Sequence, residues 1–569
     1  MRKTYYRAAL LLVILLLLQL AFNPLITQGT LLQDSSNSAI PGTPLILVTD
    51  GQPNPVKVAP PLNFSRRMAK SNSVLATPTA TFSVTYNGFS AQAQAAFQYA
   101  LDIWATQITS PVPITINAYW TNLQTCSSGQ ACILGAAGPY EEFQDFSGAT
   151  LNNTLYAAAL ANKLHRSDID PVLSDIIAQF NSGYPDWYYG TDGNTPLNKI
   201  DFVSVVLHEI GHGLGFFGDI SYNTTTFKGS YGYPAIYDRF AVNGSGQSLL
   251  NTTLFPNPST ALGSQLVSNN LYFDSPTVRE INGSNTAKLY APSPWEQGSS
   301  YSHLDNIYNG TPNALMTYSI GTGEVQHNPG SLILAMFRDM GWTVALTPND
   351  PTLLVATPFS STRIDLTWHD NSSYETNYRI ERSPNGSSNW SSIAMLPASS
   401  TSYSDTGLFS ATLYYYRVLA SNLGVDSGYS NTANATTNTG TIWTVTSTED
   451  SGDTASKGTD GTLSYALNQA TNGHTIKFLL NGGATTINVS GALRAVQAGV
   501  IIDGGACTSG TGITIMAKPD MAAATDITIN GLVLGGATIR NITVSGFGGR
   551  QIVANPGRDI LYCSKGSKK

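Results

Sequence analysis

The apolar positions of this chain change their rhythm several times. Phe82 to Tyr86 (Phe-Ser-Val-Thr-Tyr) alternates with period two, which predicts a half-buried strand. From Ser90 to Ile108, Ala93, Phe97, Ala100, Leu101 and Trp104 recur at helical spacing and predict an amphipathic helix. Val112 to Tyr119 resumes a strand, and Asp175 to Asn181 reads as another. Lys199 to Leu207 is mostly apolar, and its β-branched residues leave helix and strand both open. Ser331 to Trp342 predicts a capped apolar helix that stops at Gly341.

Beyond Thr347 the pattern is that of strands. Ile364 to Trp368, Tyr378 to Arg382 and Leu413 to Val418 are short alternating runs rich in aromatics. From Thr441, β-rich strings recur at Thr475–Phe478, Val500–Gly505, Ile527–Leu534 and Ala537–Val544. The chain stops soon after them, at Cys563 to Lys569, which reads as a truncated end. At the other terminus, Arg2, Lys3 and Arg7 precede an apolar run from Ala8 to Phe22 closed by Asn23-Pro24. That pattern predicts a secretory signal over 1–29, with a retained anchor as the alternative. Residues 30–78 are rich in Ser, Pro, Thr and Asn without periodicity and read as a propeptide or linker.

Composition agrees with an expected secreted, extracellular or cell-surface-associated protein: charged residues make up 11% of the chain, against about 25% in ordinary globular proteins. The net charge of −7 becomes about −10 once Arg2, Lys3 and Arg7 leave with the signal, which argues against nucleic acid as a partner. Of four cysteines, Cys126 and Cys132 close a small loop and are expected as a disulfide in an oxidising compartment. Cys507 and Cys563 form a weaker candidate pair, and neither pair has zinc-site spacing.

The chemistry lies in Leu207-His208-Glu209-Ile210-Gly211-His212-Gly213-Leu214-Gly215. Four helical steps return to one face, so a helix here aims His208 and His212 at a single ion while Glu209 reaches the water beside it. That settles the preceding segment as helix. Zinc needs a third protein ligand with one position left for water, and Gly215 suits a sharp helix exit that turns the chain back toward the metal.

These residues resemble the metzincin zinc metallopeptidases. Their compact pattern would require a histidine at 218, where this chain has Gly218 followed by Asp219. Far downstream, Tyr301-Ser302-His303-Leu304-Asp305 precedes Asn313-Ala314-Leu315-Met316-Thr317-Tyr318, an interrupted arrangement similar to that of the leishmanolysin-like branch. The resemblance covers about Thr79 to Trp342, with 217–302 as the insertion. It implies His208, His212 and His303 as ligands of one catalytic Zn2+, with Asp219 and His327 as alternatives for the third. It further implies Met316 as an apolar floor beneath the metal, Glu209 as general base and Tyr318 as a contact for zinc or the oxyanion. Related zymogens place a cysteine or an aspartate on zinc; residues 30–78 hold no cysteine, and Asp50 is a weak candidate.

The stretch to Thr437 resembles a fibronectin type III domain, and the strings beyond Thr441 resemble the first coils of a right-handed parallel β-helix of the pectin-lyase kind. The expected chain is therefore multidomain: an α+β metzincin catalytic domain over 79–345, an all-β sandwich over 350–437 and a β-helix-like segment over 441–569. The expected function is a secreted zinc endopeptidase acting on proteins or peptides, with extracellular or cell-surface glycans as possible partners of its C-terminal modules. The alternative is a surface adhesin or glycan-binding protein whose zincin domain is vestigial.

Overall fold

The computed structural model describes residues 79–452 without a break, preceded by 40–41, 45–61 and 63–65, and followed by 459–505, 512–518 and short stretches between 532 and 566. The apolar run Ala8–Phe22, Cys507 and Cys563 lie outside the described residues. The chain divides into two compact units, one ending at Thr347 and taking in Asn422–Val425, the other comprising the rest from Pro348 onward.

In the first unit, β1 (Leu45–Thr49), β2 (Lys57–Val58), β3 (Phe82–Asn87), α1 (Ala91–Gln107), β4 (Ile114–Thr121), β5 (Cys132–Pro139) and β6 (Ile176–Asn181) precede α2 (Phe202–Gly213), which carries the two histidines. The main sheet has the order β1-β5-β6-β4-β3. β3, β4 and β6 are parallel, and β5 is antiparallel to both of its neighbours, β6 and β1. On β4, alternation buries Ile114, Ile116 and Ala118 on the core face. Ser90 caps α1 by accepting from the Ala93 N–H, and Phe97 and Leu101 are fully buried, each worth about 1.5–3 kcal/mol relative to exposure. The Trp104 indole N–H donates to the Leu207 carbonyl at 3.1 Å and fastens α1 to α2.

The run 199–207, expected as helix throughout, is helix only from Phe202, its start being a short strand. Ile200–Asp201 pairs in parallel with Trp187–Tyr188, and α2 starts at Phe202 with Asp201 as its N-cap. Val203, Val205 and Val206 are completely buried, so packing overrides their modest helix propensity. β7 (Val325–Gln326) runs parallel to β2, and α3 (Ser331–Met340) closes the unit. α3 departs from its sequence reading at one end: Gly330, not Ser331, is the N-cap, and no side chain caps the turn. Gly330 has φ +84, and a Cβ there would press on the Pro312 carbonyl oxygen at 2.5 Å, so glycine fits where a capping side chain does not. A disulfide joins Cys126 and Cys132.

The second unit opens with two antiparallel sheets. One orders strands 352–360, 363–369 and 402–406; the other sets 391–397, 377–383 and 413–422 side by side, with 433–436 also on 413–422. Ile364, Leu366 and Trp368 pack with Tyr378, Ile380, Tyr416 and Val418 in their shared core. The Tyr414 hydroxyl accepts from the Phe409 N–H at 3.1 Å, pinning the corner that leads into its strand.

Among the described residues after Thr441 every strand pairing is parallel. Strands 442–445, 475–478, 501–503, 538–540 and 560–562 form one sheet, and 449–450, 486–489, 513–517, 542–545 and 565–566 form another. Strands alternate between these two sheets as far as 513–517; beyond it 532–533 pairs in parallel with 552–553 as a third, two-stranded sheet, and like residues stack from turn to turn. Ile476, Ile502 and Ile539 are in register along one wall, and Ile487, Ile515 and Val544 along the other. All six are buried in one core.

Candidate metal centre

The structure brings three histidines from two distant segments to one point. His208 and His212 lie one turn apart on α2, and His303 reaches them from the loop before the Met316 turn. Their Nε2 atoms are 3.0 Å (208 to 212), 3.1 Å (212 to 303) and 3.2 Å (208 to 303) apart. Tetrahedral zinc at 2.0–2.1 Å from each nitrogen would hold its ligands about 3.3 Å apart, so the triangle is nearly the size such an ion requires. Among the described residues these three are the group of His, Cys, Asp or Glu whose ligand atoms converge closely enough to hold a metal.

Each ring is fixed by its other nitrogen. Nδ1 of His208, His212 and His303 faces the carbonyl of Leu315 at 2.6 Å, Phe216 at 2.7 Å and Ser299 at 2.8 Å. A carbonyl can only accept, so Nδ1 carries the proton and the Nε2 lone pairs point inward. Burial pushes the His208 ring down to about 4, and burial with mutual repulsion holds the other two well below the usual histidine range. The rings are therefore neutral near physiological pH, the state a metal ligand needs.

Glu209 is fully buried beside the triangle, and burial raises its carboxyl well above the usual range. The Leu47 and Ala137 backbone N–H groups face it and oppose that rise, yet neither carboxylate oxygen has a hydrogen bond of good geometry. A buried acid so poorly satisfied has unused capacity for a water or substrate group. β5 makes room for it with Gly135, where a Cβ would come 2.6 Å from Glu209 Oε1. Met316 is likewise fully buried, and a Cβ on Gly211 would sit 2.7 Å from its Sδ, so the glycine between the histidines admits the methionine beneath them. Gly215 has φ +113, in keeping with its expected role at the helix exit.

The two rival third ligands, His327 and Asp219, are engaged elsewhere. His327 is buried at the opposite end of α2, with Nε2 2.8 Å from Asp201 Oδ2. Asp201 also accepts from the Ser204 N–H, the Ser204 hydroxyl and the Thr195 hydroxyl. Asp219 lies with Glu142 and Asp238 in a crowd of buried carboxyls, where burial and mutual repulsion push Glu142 and Asp219 up. Asp238 accepts from the Tyr301 hydroxyl at 2.6 Å. A side chain on Gly218 would collide with Tyr301 and Asp238. Position 218, where the compact pattern has its histidine, thus makes space for Tyr301, which anchors the loop bearing His303. Tyr318 stacks on Tyr290 with ring centroids 4.2 Å apart.

Sequence reasoning missed Leu47, Gly135, Asp201 and the buried carboxyls of Glu142 and Asp238 beside Asp219. The apolar run Leu45–Val48 between Pro44 and Asp50-Gly51 was a strand signal of the short buried type. The other residues carry no signal outside their tertiary partners.

A family model described as SPBPB7E8-like matches residues 61–238, just under a third of the chain. None of the curated proteins matches. Among solved structures, an Fn3-like protein from Clostridium thermocellum is 34% identical, covering 15% of this chain and 90% of that one with a TM-score of 0.14. Titin domains A168–A170 are 27% identical over 16% of this chain and 33% of theirs, with a TM-score of 0.15. A β-1,2-glucanase from Parabacteroides distasonis is 29% identical over 16% of this chain and 13% of its own, also at 0.15. The chain thus spans a third of the titin structure and far less of the glucanase. With its two-sheet sandwich, the chain carries a fibronectin type III-like domain.

Proposed function

We propose that residues 79–345 are a secreted zinc endopeptidase of the leishmanolysin-like metzincin kind, holding zinc through His208, His212 and His303. The observation that carries this reading is the convergence of three inward-aimed Nε2 atoms beside a buried, poorly satisfied glutamate. When bound, zinc supplies the Lewis acidity that makes water a nucleophile near neutral pH. Glu209, with its proton affinity raised by burial, takes the proton from the attacking water and returns it to the leaving peptide nitrogen. The Leu315, Phe216 and Ser299 carbonyls keep the three rings aimed, and Met316 fills the space beneath them. Tyr318 is proposed as oxyanion donor, its ring steadied by Tyr290.

We read 441–569 as the opening coils of a right-handed parallel β-helix, a reading supported by strands that return in turn to the same parallel sheets, a short third one included. With the fibronectin type III-like domain it would present the enzyme to surfaces or glycans.

The test is zinc content by mass spectrometry together with casein hydrolysis by the full chain nicked between residues 66 and 78. One zinc per chain is expected, with turnover that Glu209→Gln lowers by about 100- to 10,000-fold without loss of metal. A chain that binds no zinc and cuts nothing would transfer the case to a surface adhesin with a vestigial zincin domain.

A further inference from the structure

Residues 45–49 lie between two hydrogen-bonding walls, and residues 52–58 continue along one of them. On one side, β1 pairs antiparallel with β5, setting Leu47 opposite Gly135, the residue that lies against Glu209. On the other side stands the chain that follows Met316. The Val48 N–H donates to the Tyr318 carbonyl at 3.3 Å, and the Ile320 N–H donates to the Val48 carbonyl at 3.0 Å. Farther along, the Thr322 N–H donates to the Gln52 carbonyl, the Asn54 N–H to that of Thr322, the Val325 N–H to that of Val56 and the His327 N–H to that of Val58. Alternation turns Ile46 and Val48 to the outer face, where they pack with Ile133 and Ala136. Leu47 turns inward, 1% exposed, and lines a small cavity with His208, Leu315, Thr317 and Ile320.

An extended peptide bonded through its main chain to both walls, with alternate side chains in pockets, is how a sheet edge takes a peptide ligand. Beneath this segment His208, Glu209, His212 and His303 are at most 1% exposed, so no polymer can reach them while it stays. The nitrogen of the Ile46–Leu47 peptide faces the Glu209 carboxyl, where a leaving amine would collect its proton.

We propose that residues 45–58 occupy the substrate groove, with Leu47 in the pocket for the side chain on the amine side of the scissile bond, and that the chain is latent until this segment leaves. The proposal rests on the peptidase reading and adds to it a binding direction, a preference for a leucine-sized apolar residue at that position and a built-in inhibitor. Tethering keeps the segment at high effective concentration, so severing the tether is enough to let substrate compete.

The experiment uses the full chain with a site-specific protease sequence inserted between Asn72 and Ser73, assayed for zinc and for casein hydrolysis before and after cutting. Expected are one zinc in both forms, at least a tenfold rise in rate on cutting, and competitive inhibition of the cut chain by a synthetic peptide of residues 45–58. The same peptide with Leu47→Asp inhibits at least tenfold more weakly, and uncut full chain carrying Leu47→Asp matches the cut chain in rate. Equal rates in cut, uncut and Leu47→Asp chains with zinc bound, or failure of the peptide to inhibit, overturn the latency and leave the peptidase reading standing. Absence of both zinc and turnover in every form overturns the peptidase reading and this inference with it.

Discussion

His303 and His327 are equally buried, both at 0% exposure, and both sit in loops that follow the long insertion. Their surroundings separate them. His303 gives Nδ1 to the Ser299 carbonyl and leaves Nε2 facing two other imidazole nitrogens, with no anion in the triangle. His327 places Nε2 on Asp201, the carboxylate that caps α2, and its Nδ1 has no partner. Burial alone therefore does not mark a ligand. What marks it is which nitrogen is spent on the protein and whether the other meets an acceptor or a second lone pair.

Exchanging the two positions gives the largest contrast. His303→Ala removes one of three proposed ligands, and zinc affinity should fall by more than about 100-fold, beyond the usual effect of losing an outer partner. His327→Ala should leave zinc content unchanged and instead lower stability by about 3 kcal/mol, because Asp201 loses a buried partner. Metal analysis and thermal melts of the two variants, each with and without zinc, read this directly. A His327→Ala chain that lost metal while His303→Ala kept it would reverse the assignment.

The difference between these histidines could not be read from the sequence, where each is a lone histidine in a loop. Resemblance to a family, not spacing, singled out His303. Local patterns served better where their partners are near in the chain: the 82–87 strand, the helix capped by Ser90 and the His208–His212 turn all follow from periodicity and capping. The short apolar run of β1 is a strand signal inside a stretch otherwise without periodicity, and nothing in the sequence ties it to β5 or to the Tyr318–Ile320 segment, which are remote in the chain. Nothing in the sequence marks Gly135 or Gly211; only Glu209 and Met316, brought against them in three dimensions, give their lack of a side chain a purpose.

Acid should act through the triangle. In the unfolded chain these histidines titrate near 6.5, while His208 in the folded chain is held at about 4 and burial with mutual repulsion holds the other two well below the usual range. Between those values the unfolded chain binds more protons than the folded one, so stability falls as pH drops from about 6.5 toward 4. His208 alone accounts for on the order of 3 kcal/mol across that window. Zinc-free protein melted from pH 7 to pH 4 should show the loss, and bound zinc should move its onset to lower pH by holding the rings unprotonated. A zinc-free chain equally stable at pH 4.5 and 7 would mean that the three rings are not buried together.

The smallest expected effect tests the floor under the ligands. In Gly211→Ala the new Cβ meets Met316 Sδ at 2.7 Å and Cε at 3.2 Å, the far end of a flexible side chain. Alanine recovers about 1 kcal/mol of helix propensity, and moving the thioether costs about 1–3 kcal/mol, so the net loss should be no more than about 2 kcal/mol. Gly213→Ala drives its Cβ into Ile176, a stiff β-branched residue in the middle of the sheet, and should cost more. The two should rank oppositely in zinc affinity. Met316 follows directly on Leu315, whose carbonyl orients His208, so the milder Gly211→Ala should weaken zinc several-fold while Gly213→Ala changes melting more than metal. Isothermal titration of both variants with zinc, beside their melting curves, separates the floor from the helix that rests on it; parallel losses in both properties would show that Met316 packs there without supporting the ligands.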